Sequence, residues 1–420
     1  MGVYLSKTKA SKFLLLLSIL VLLLNNYELT FLVWSFTALF TLQNRYSIQI
    51  TRLILILTLV LSVALFSSFF HQHKNYNFFR DIAYLLKPIF GLLIGYNVCK
   101  IVGKKTMNII INAGFALAVI HILTLAICFT FFAIRNISDL RHYGGYFDDY
   151  EIYVLILLIF RDKFNIDISK RKAWIFTLVI AFSCFLYLAR TNIIQMIILF
   201  LAIKGYFILT PRAIKIMVTT VVLVLAGYAA IYYSYPARKG KGLEAFFYKI
   251  KIAPVEAFKT KINQNDWKEF NDNYRSFENI STVRQVTGNG WFTTVFGKGL
   301  GSTVDIGREM WSNDGEFIRY IPTLHNAYMT MFLKSGLIGV FLCLWFIYLL
   351  SKNKKSLDPE IIYVNYLLMG SALFLILSNW VFMGLYLKLD NKSIFLGFLL
   401  CYKELLLKNN SPTNTVRVED

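Results

Sequence analysis

Long apolar runs separated by short, mostly basic connectors set the pattern of this chain. The runs 13–24, 53–70, 109–134, 193–209 and 327–350 are too apolar for the surface helices of a soluble fold. The longest can cross a hydrocarbon core about 30 Å thick. In lipid, backbone N–H and C=O groups must be paired within the protein, which leaves helices or a closed barrel. Barrel strands show segments of roughly ten residues with alternating polarity, and these runs do not alternate. The pattern predicts an all-α polytopic integral membrane protein.

About 12 transmembrane helices can be placed, at 13–24, 30–42, 53–70, 82–98, 109–134, 151–160, 173–188, 192–209, 214–233, 327–350, 361–377 and 394–407. The run 151–160 is short and has to borrow flanking residues. Alternate connectors are basic: Arg45 and Arg52; Lys100, Lys104 and Lys105; Arg161, Lys163, Lys170, Arg171 and Lys172; Lys204, Arg212 and Lys215; Lys352, Lys354 and Lys355. With twelve spans these fall on one side together with the basic N-terminus, and the positive-inside rule makes that side cytoplasmic. Both termini are then cytoplasmic. The first run follows Lys7, Lys9 and Lys12 like a signal peptide, but no small-residue cleavage site follows it, so it reads as a retained helix.

One polar segment, 234–324, breaks the rhythm and falls on the external face. Loops of this length are functional or disordered, and Trp267, Phe270, Tyr274, Phe277, Trp291, Phe292 and Phe296 argue for a folded one. Within it, 243–262 and 267–280 carry apolar residues at helical spacing, as in amphipathic helices lying on the outer surface or capping the bundle. The chain thus divides into nine spans in 1–233, a large external (periplasmic) loop at 234–324, three spans in 325–407 and a polar cytoplasmic tail at 408–420.

Composition agrees. The chain is 57% hydrophobic and 16% charged, against roughly a quarter charged in a soluble domain. The net charge of +20 sits in the connectors, where it fixes orientation, so it implies no nucleic-acid partner. Cys99, Cys128, Cys184, Cys343 and Cys401 lie in or at the ends of apolar runs, and Cys/His spacing offers no zinc site. No internal repeat of useful length appears, which disfavours inverted-repeat transporter designs.

Ionisable residues at a membrane without a topological reason are functional candidates. Arg190 ends one span and is followed at once by the next, which places it at the outer mouth of the bundle, as an anion ligand or a snorkelling arginine. Arg284 precedes a turn of Gly297, Gly299 and Gly301. Arginine offers a planar fork for phosphate oxygens, and glycines let backbone N–H groups approach an anion, although most such loops are simply turns. His325, followed by Asn326, stands where the loop re-enters the membrane. A histidine there can act as a general base or as a helix cap, and Asn326 can orient a substrate or the ring. His71, His73, His121 and His142 lack comparable surroundings. A further external group runs from Arg135 through Arg141, His142, Asp148 and Asp149 to Glu151, with Arg80 at the mouth of the fourth span. It reads more readily as a solvated loop than as a metal site. Cations and a histidine converging on an external mouth suit glycosyl transfer from a lipid-diphosphate sugar, with the diphosphate leaving.

The arrangement resembles the O-antigen polymerase (Wzy) and O-antigen ligase (WaaL) superfamily of bacterial envelope enzymes. Three stretches carry the likeness: Leu188-Ala189-Arg190-Thr191; Ser281 to Arg284 and Trp291, then Phe296-Gly297-Lys298-Gly299-Leu300-Gly301; and Thr323-Leu324-His325-Asn326 leading into Ser335-Gly336-Leu337-Ile338-Gly339. The resemblance implies that Arg190 and Arg284 bind undecaprenyl diphosphate. It implies that His325 is the base or orients the acceptor, in an inverting transfer that needs no metal or other cofactor. Arg141 to Asp149 is similar to a family stretch whose Pro-Asn is missing here, and Lys334 stands where many relatives carry an acid. The implied enzyme is a polymerase of lipid-linked repeat units in the bacterial inner membrane, with a ligase acting on lipid A-core as the alternative. A flippase is a third reading, disfavoured because few charges lie deep in the spans. Its implied partners are undecaprenyl-diphosphate-linked donor and acceptor glycans, membrane lipid and a chain-length regulator.

Overall fold

The computed structural model describes residues 6–135, 140, 143–144, 148–187, 189–208, 210–237, 243–256, 259, 261–263, 266–311, 317–352, 356–388 and 391–409. Each of the twelve apolar runs lies on a helix. In order they are α1 (Lys7–Leu20), α2 (Tyr27–Phe40), α3 (Ile48–Ser68), α4 (Asn75–Val102), α5 (Thr106–Thr130), α6 (Asp148–Ile159), α7 (Lys170–Leu186), α8 (Arg190–Ile203) and α9 (Pro211–Tyr233). The polar segment holds α10 (Leu243–Glu256), α11 (Trp267–Asp272), α12 (Tyr274–Thr287), α13 (Trp291–Phe296) and a hairpin of β1 (Val304–Trp311) and β2 (Phe317–Ile321). Then follow α14 (Ala327–Ser351), α15 (Pro359–Phe382) and α16 (Lys392–Asn409).

Among the described residues, five helical stretches are long and apolar enough to cross a membrane: α3, α4 and α5 joined through a 3-10 turn, α9, α14 and α15. The other runs form helices of 12 to 18 residues. Five candidate crossings, rather than twelve, are therefore established. Lipid as the surrounding solvent follows from what these helices expose. Along α9 only Ala213 is buried, while Val218, Val221, Val222, Leu223, Val224 and Leu225 all face outward. Water-soluble monomers rarely tolerate so continuous an apolar surface. The chain is a helical membrane protein.

The core is centred on α4 and α16, with α3 against α14 and α15 against α8 and α14. Without a hydrophobic drive between helices in lipid, close packing rests on small residues. Gly91 and Gly95 form such a small-xxx-small stripe. A methyl on Gly95 would lie 1.9 Å from the Ile394 carbonyl oxygen, and one on Gly397 would lie 2.1 Å from that of Leu92.

The helix ends sort into two poles. At one, Lys100 Nζ donates to the Arg45 carbonyl and Asn165 Nδ2 to Glu360 Oε2 at 2.8 Å. At the other, Ser67 Oγ donates to the Gly297 carbonyl at 2.6 Å and Met383 N to that of His325 at 3.0 Å. This second pole carries the polar segment, which has its own small core of Val286, Val304, Ile306, Ile321 and Leu324 against Phe332 and Leu333 of α14. The segment is folded, as its aromatics suggest. The hairpin within it was not foreseen: it is short, its register slips between Asp305 and Met310, and Arg319 Nε meets Asp305 Oδ1 across it at 2.8 Å.

Candidate active site

The polar segment lays α12 over the start of α14. Tyr274 and Arg275 stand four and three residues before Glu278, which puts each beside it on α12. Glu278 is 1% exposed and receives the loop–helix junction. His325 N donates to its Oε2 at 3.2 Å, and His325 Nδ1 lies 2.9 Å from Oε2 and 3.1 Å from Oε1. The Tyr274 ring meets the imidazole edge-on at 5.8 Å. Burial, with the Glu278 carboxylate adding to it, pushes the Tyr274 phenol far above its ordinary range, so it remains a proton donor. A carboxylate accepts only, so Nδ1 carries the shared proton and Nε2 is the basic nitrogen left. The helix cap is the neighbouring residue: Asn326 Oδ1 accepts from Met329 N at 3.2 Å, and its buried Nδ2 has no protein partner.

His325 lines a cleft of about 330 Å³ with Arg190, Lys249, Ile252, Asn271, Asp272, Tyr274 and Arg275. The structure thus brings together Arg190 and His325, which are far apart in sequence. Arg190 opens α8 and is tied to α10 by a bond from its Nη1 to the Lys249 carbonyl at 2.6 Å. Arg190, Lys249 and Arg275 line the cleft with Asp272, and the Glu278 carboxylate lies against His325, so the cations exceed the carboxylates by one and the cleft suits an anionic group.

Arg284 is not brought into this cleft. It is exposed in the last turn of α12, nine residues beyond Arg275, and roughly 2.5 turns of helix put it on the opposite face. Arg275 is the arginine of α12 that lines the cleft. Lys249, Arg275, Tyr274 and Glu278 were all missed. The only local signal was the four- and three-residue spacing of Tyr274 and Arg275 from Glu278 along α12.

The glycine turn is a packing joint. Gly297, Gly299 and Gly301 have φ of +78°, +84° and +81°, and a methyl on Gly299 would lie 2.6 Å from the Ser68 Cα. The four N–H groups after Gly297 all find protein acceptors. Lys298 N bonds the Leu333 carbonyl at 2.8 Å and Gly299 N that of Lys334 at 3.1 Å. Leu300 N bonds Ser68 Oγ at 2.6 Å and Gly301 N bonds Asp81 Oδ2 at 2.7 Å. The carbonyls are free to accept because α14 breaks at Gly336, where φ is +64°. The expectation of an anion cradle at Gly297, Gly299 and Gly301 is corrected: these donors are already satisfied.

Arg80 also stands apart from the cleft, on α4 beside Asp81. Lys334 is buried against Asp81 Oδ2 at 2.5 Å, each 1% exposed, and does not line the cleft. Arg141 and His142 lie outside the described residues. Of their neighbours, Asp149 pairs with buried Lys392, and Glu151 accepts from Tyr187 at 3.1 Å. Among the described residues no three His, Cys, Asp or Glu side chains gather as a metal site. His121 is held by Ser183 Oγ at 2.8 Å, and His73 by the Lys298 carbonyl at 2.8 Å.

No protein-family model matches the chain, and no curated protein matches it.

Proposed function

We propose that the chain is a polymerase of undecaprenyl-diphosphate-linked oligosaccharide units. In this reading all twelve apolar helices span the bacterial inner membrane, both termini are cytoplasmic, and the cleft opens on the external face. The observation that carries the proposal is the cleft itself: Arg190, Lys249 and Arg275 surround His325, whose Nδ1 is committed to buried Glu278.

The chemistry follows from those positions. The donor diphosphate lies against the three cations, with its polyprenyl tail in lipid and its sugar toward His325. An acceptor hydroxyl loses its proton to His325 Nε2 while its oxygen attacks the anomeric carbon from the far side. The C–O bond to the diphosphate breaks, the leaving group keeps the electron pair, and the configuration inverts. The cations stabilise the charge that gathers on the departing diphosphate, an effect strongest at a water-poor site. Tyr274 and Glu278 hold the imidazole in one orientation, which general-base transfer requires. Fixed donors of this kind supply what a metal ion supplies elsewhere.

The test is incubation of purified protein in nanodiscs with an undecaprenyl-diphosphate-linked repeat unit alone. A ladder of longer lipid-linked glycans is expected. Transfer only after addition of lipid A-core would replace the polymerase reading with the ligase reading. Activity in neither case would remove the transferase reading.

A further inference from the structure

A second group of polar side chains lies outside the His325 cleft, where α2, α4 and α14 meet. Asp81 Oδ2 is fully used, by Lys334 Nζ at 2.5 Å and by Gly301 N at 2.7 Å. Lys334 Nζ also donates to the Ser302 carbonyl. Asp81 Oδ1 has Arg80 Nη2 at 3.6 Å, beyond hydrogen-bond range. Nearby, four buried atoms have no hydrogen-bond partner among the described residues: Arg80 Nε, Arg80 Nη2, Tyr27 Oη and Tyr84 Oη. Tyr84 is 7% exposed. Both tyrosines are within electrostatic reach of Arg80 and Asp81.

The imbalance has two parts. Arg80 Nε and Nη2, two hydroxyls that can donate or accept, and Asp81 Oδ1 all lack a hydrogen-bond partner among the described residues, whereas buried polar groups in native proteins are almost always hydrogen-bonded. Two cations, Arg80 and Lys334, also share one buried carboxylate, and the Arg80 side chain, 26% exposed and over the Tyr76 ring at 5.8 Å, keeps a positive charge that an anion can reach. Glu28, the other carboxylate acting on Tyr27, is exposed to solvent. A guanidinium edge with two N–H groups and two phenol hydroxyls is a donor set for phosphate oxygens.

We propose that Arg80, Tyr27 and Tyr84 form a second oxyanion site, which takes the phosphate oxygens of a second lipid-linked molecule while Asp81 and Lys334 hold its floor. This rests on the polymerase reading. In that reaction donor and acceptor both carry a polyprenyl diphosphate, so the protein meets two such groups at once. The same chemistry can come from an ordinary phospholipid headgroup, and the experiment separates the two sources.

Undecaprenyl diphosphate is titrated into the full-length protein in phosphatidylcholine nanodiscs, and bound equivalents are counted by native mass spectrometry. The wild type binds two equivalents. Arg80→Gln weakens one of them by about ten- to a hundredfold, as expected for lost hydrogen bonds to a charged group, and leaves the other in place. Arg190→Gln does the converse. Tyr27→Phe and Tyr84→Phe each remove only a hydroxyl, so they keep the count interpretable if the arginine variant folds poorly, and each lowers the affinity of the same equivalent. A single equivalent in the wild type, or two unchanged equivalents in Arg80→Gln and both phenylalanine variants, overturns the site. Equal displacement by phosphatidylglycerol assigns the site to a lipid headgroup and overturns its assignment to substrate. Two equivalents with no glycan ladder keep the site and remove the polymerase reading; a ladder with one equivalent does the reverse.

Discussion

His325 has two ring nitrogens, and only Nδ1 is committed to Glu278. In the proposed reaction that asymmetry separates the two residues experimentally. His325→Ala removes the base and lowers kcat by about 10²–10⁴-fold, the usual contribution of a positioned general base. Glu278→Gln keeps the shape of the site but frees the ring to turn, so kcat falls while KM for the donor stays nearly constant. A matching rise in KM would show that Glu278 serves substrate binding instead. The arginines give a sharper comparison. Arg275 lines the cleft and Arg284 lies on the other face of α12, so Arg275→Ala is expected to raise donor KM at least tenfold more than Arg284→Ala; the reverse order would restore the assignment that the sequence resemblance suggests. His325 and Arg190 were legible because each sits at an abrupt change from polar to apolar sequence. Glu278 and Arg275 were not, because their meaning depends on which face of α12 is laid over α14.

Elements show the same division. Every apolar run lies on a helix, since an apolar run in lipid has no other way to pair its backbone. The break in α14 was read as continuous helix, because its cause is not local. Gly336 leaves the helix so that the carbonyls of Leu333 and Lys334 can receive Lys298 N and Gly299 N, contacts from a segment some 35 residues earlier. The Gly-x-Gly-x-Gly pattern was visible, but whether its N–H groups face a ligand or the protein is decided by α3 and α14. The joint can be tested by substitution. Gly299→Ala places a side chain at φ +84° and 2.6 Å from the Ser68 Cα. A left-handed backbone and overpacking together cost about 2–4 kcal/mol, which a lower denaturation temperature in detergent would register. Gly227→Ala is the control. Nothing lies within 4 Å of its added methyl, and alanine in a helix interior is expected to stabilise by about 1 kcal/mol. Equal behaviour of the two variants would mean that the turn is not the joint described.

For the whole molecule, the arrangement of poles turns a charge pattern into a statement about orientation. Arg45, Lys100, Lys163 and Lys204 gather where the connectors are short, and the folded segment with the cleft gathers at the opposite pole. Basic connectors are retained on the cytoplasmic side because lysine and arginine resist translocation, so the proposed orientation puts the cleft outside, where a nucleotide-free lipid-diphosphate reaction belongs. The native cysteines offer little background for labelling, since four are buried and Cys184 is half-buried. Single cysteines at Lys104 and Arg171, both exposed on the basic pole, are therefore expected to resist a membrane-impermeant maleimide in intact spheroplasts and to react once the membrane is permeabilised. Cysteines at Asn271 and Thr287, exposed on the other pole, should react in both conditions. The reverse pattern, with Asn271 and Thr287 protected and Lys104 and Arg171 reactive in intact spheroplasts, would invert the orientation. The cleft would then face the cytoplasm, and an external polymerase would be excluded whatever its residues could do chemically. Arg171 and Asn271 are separated by α7, α8 and α9, so opposite accessibility at these two sites requires an odd number of crossings there: with α9 crossing, the short helices α7 and α8 cross together or not at all.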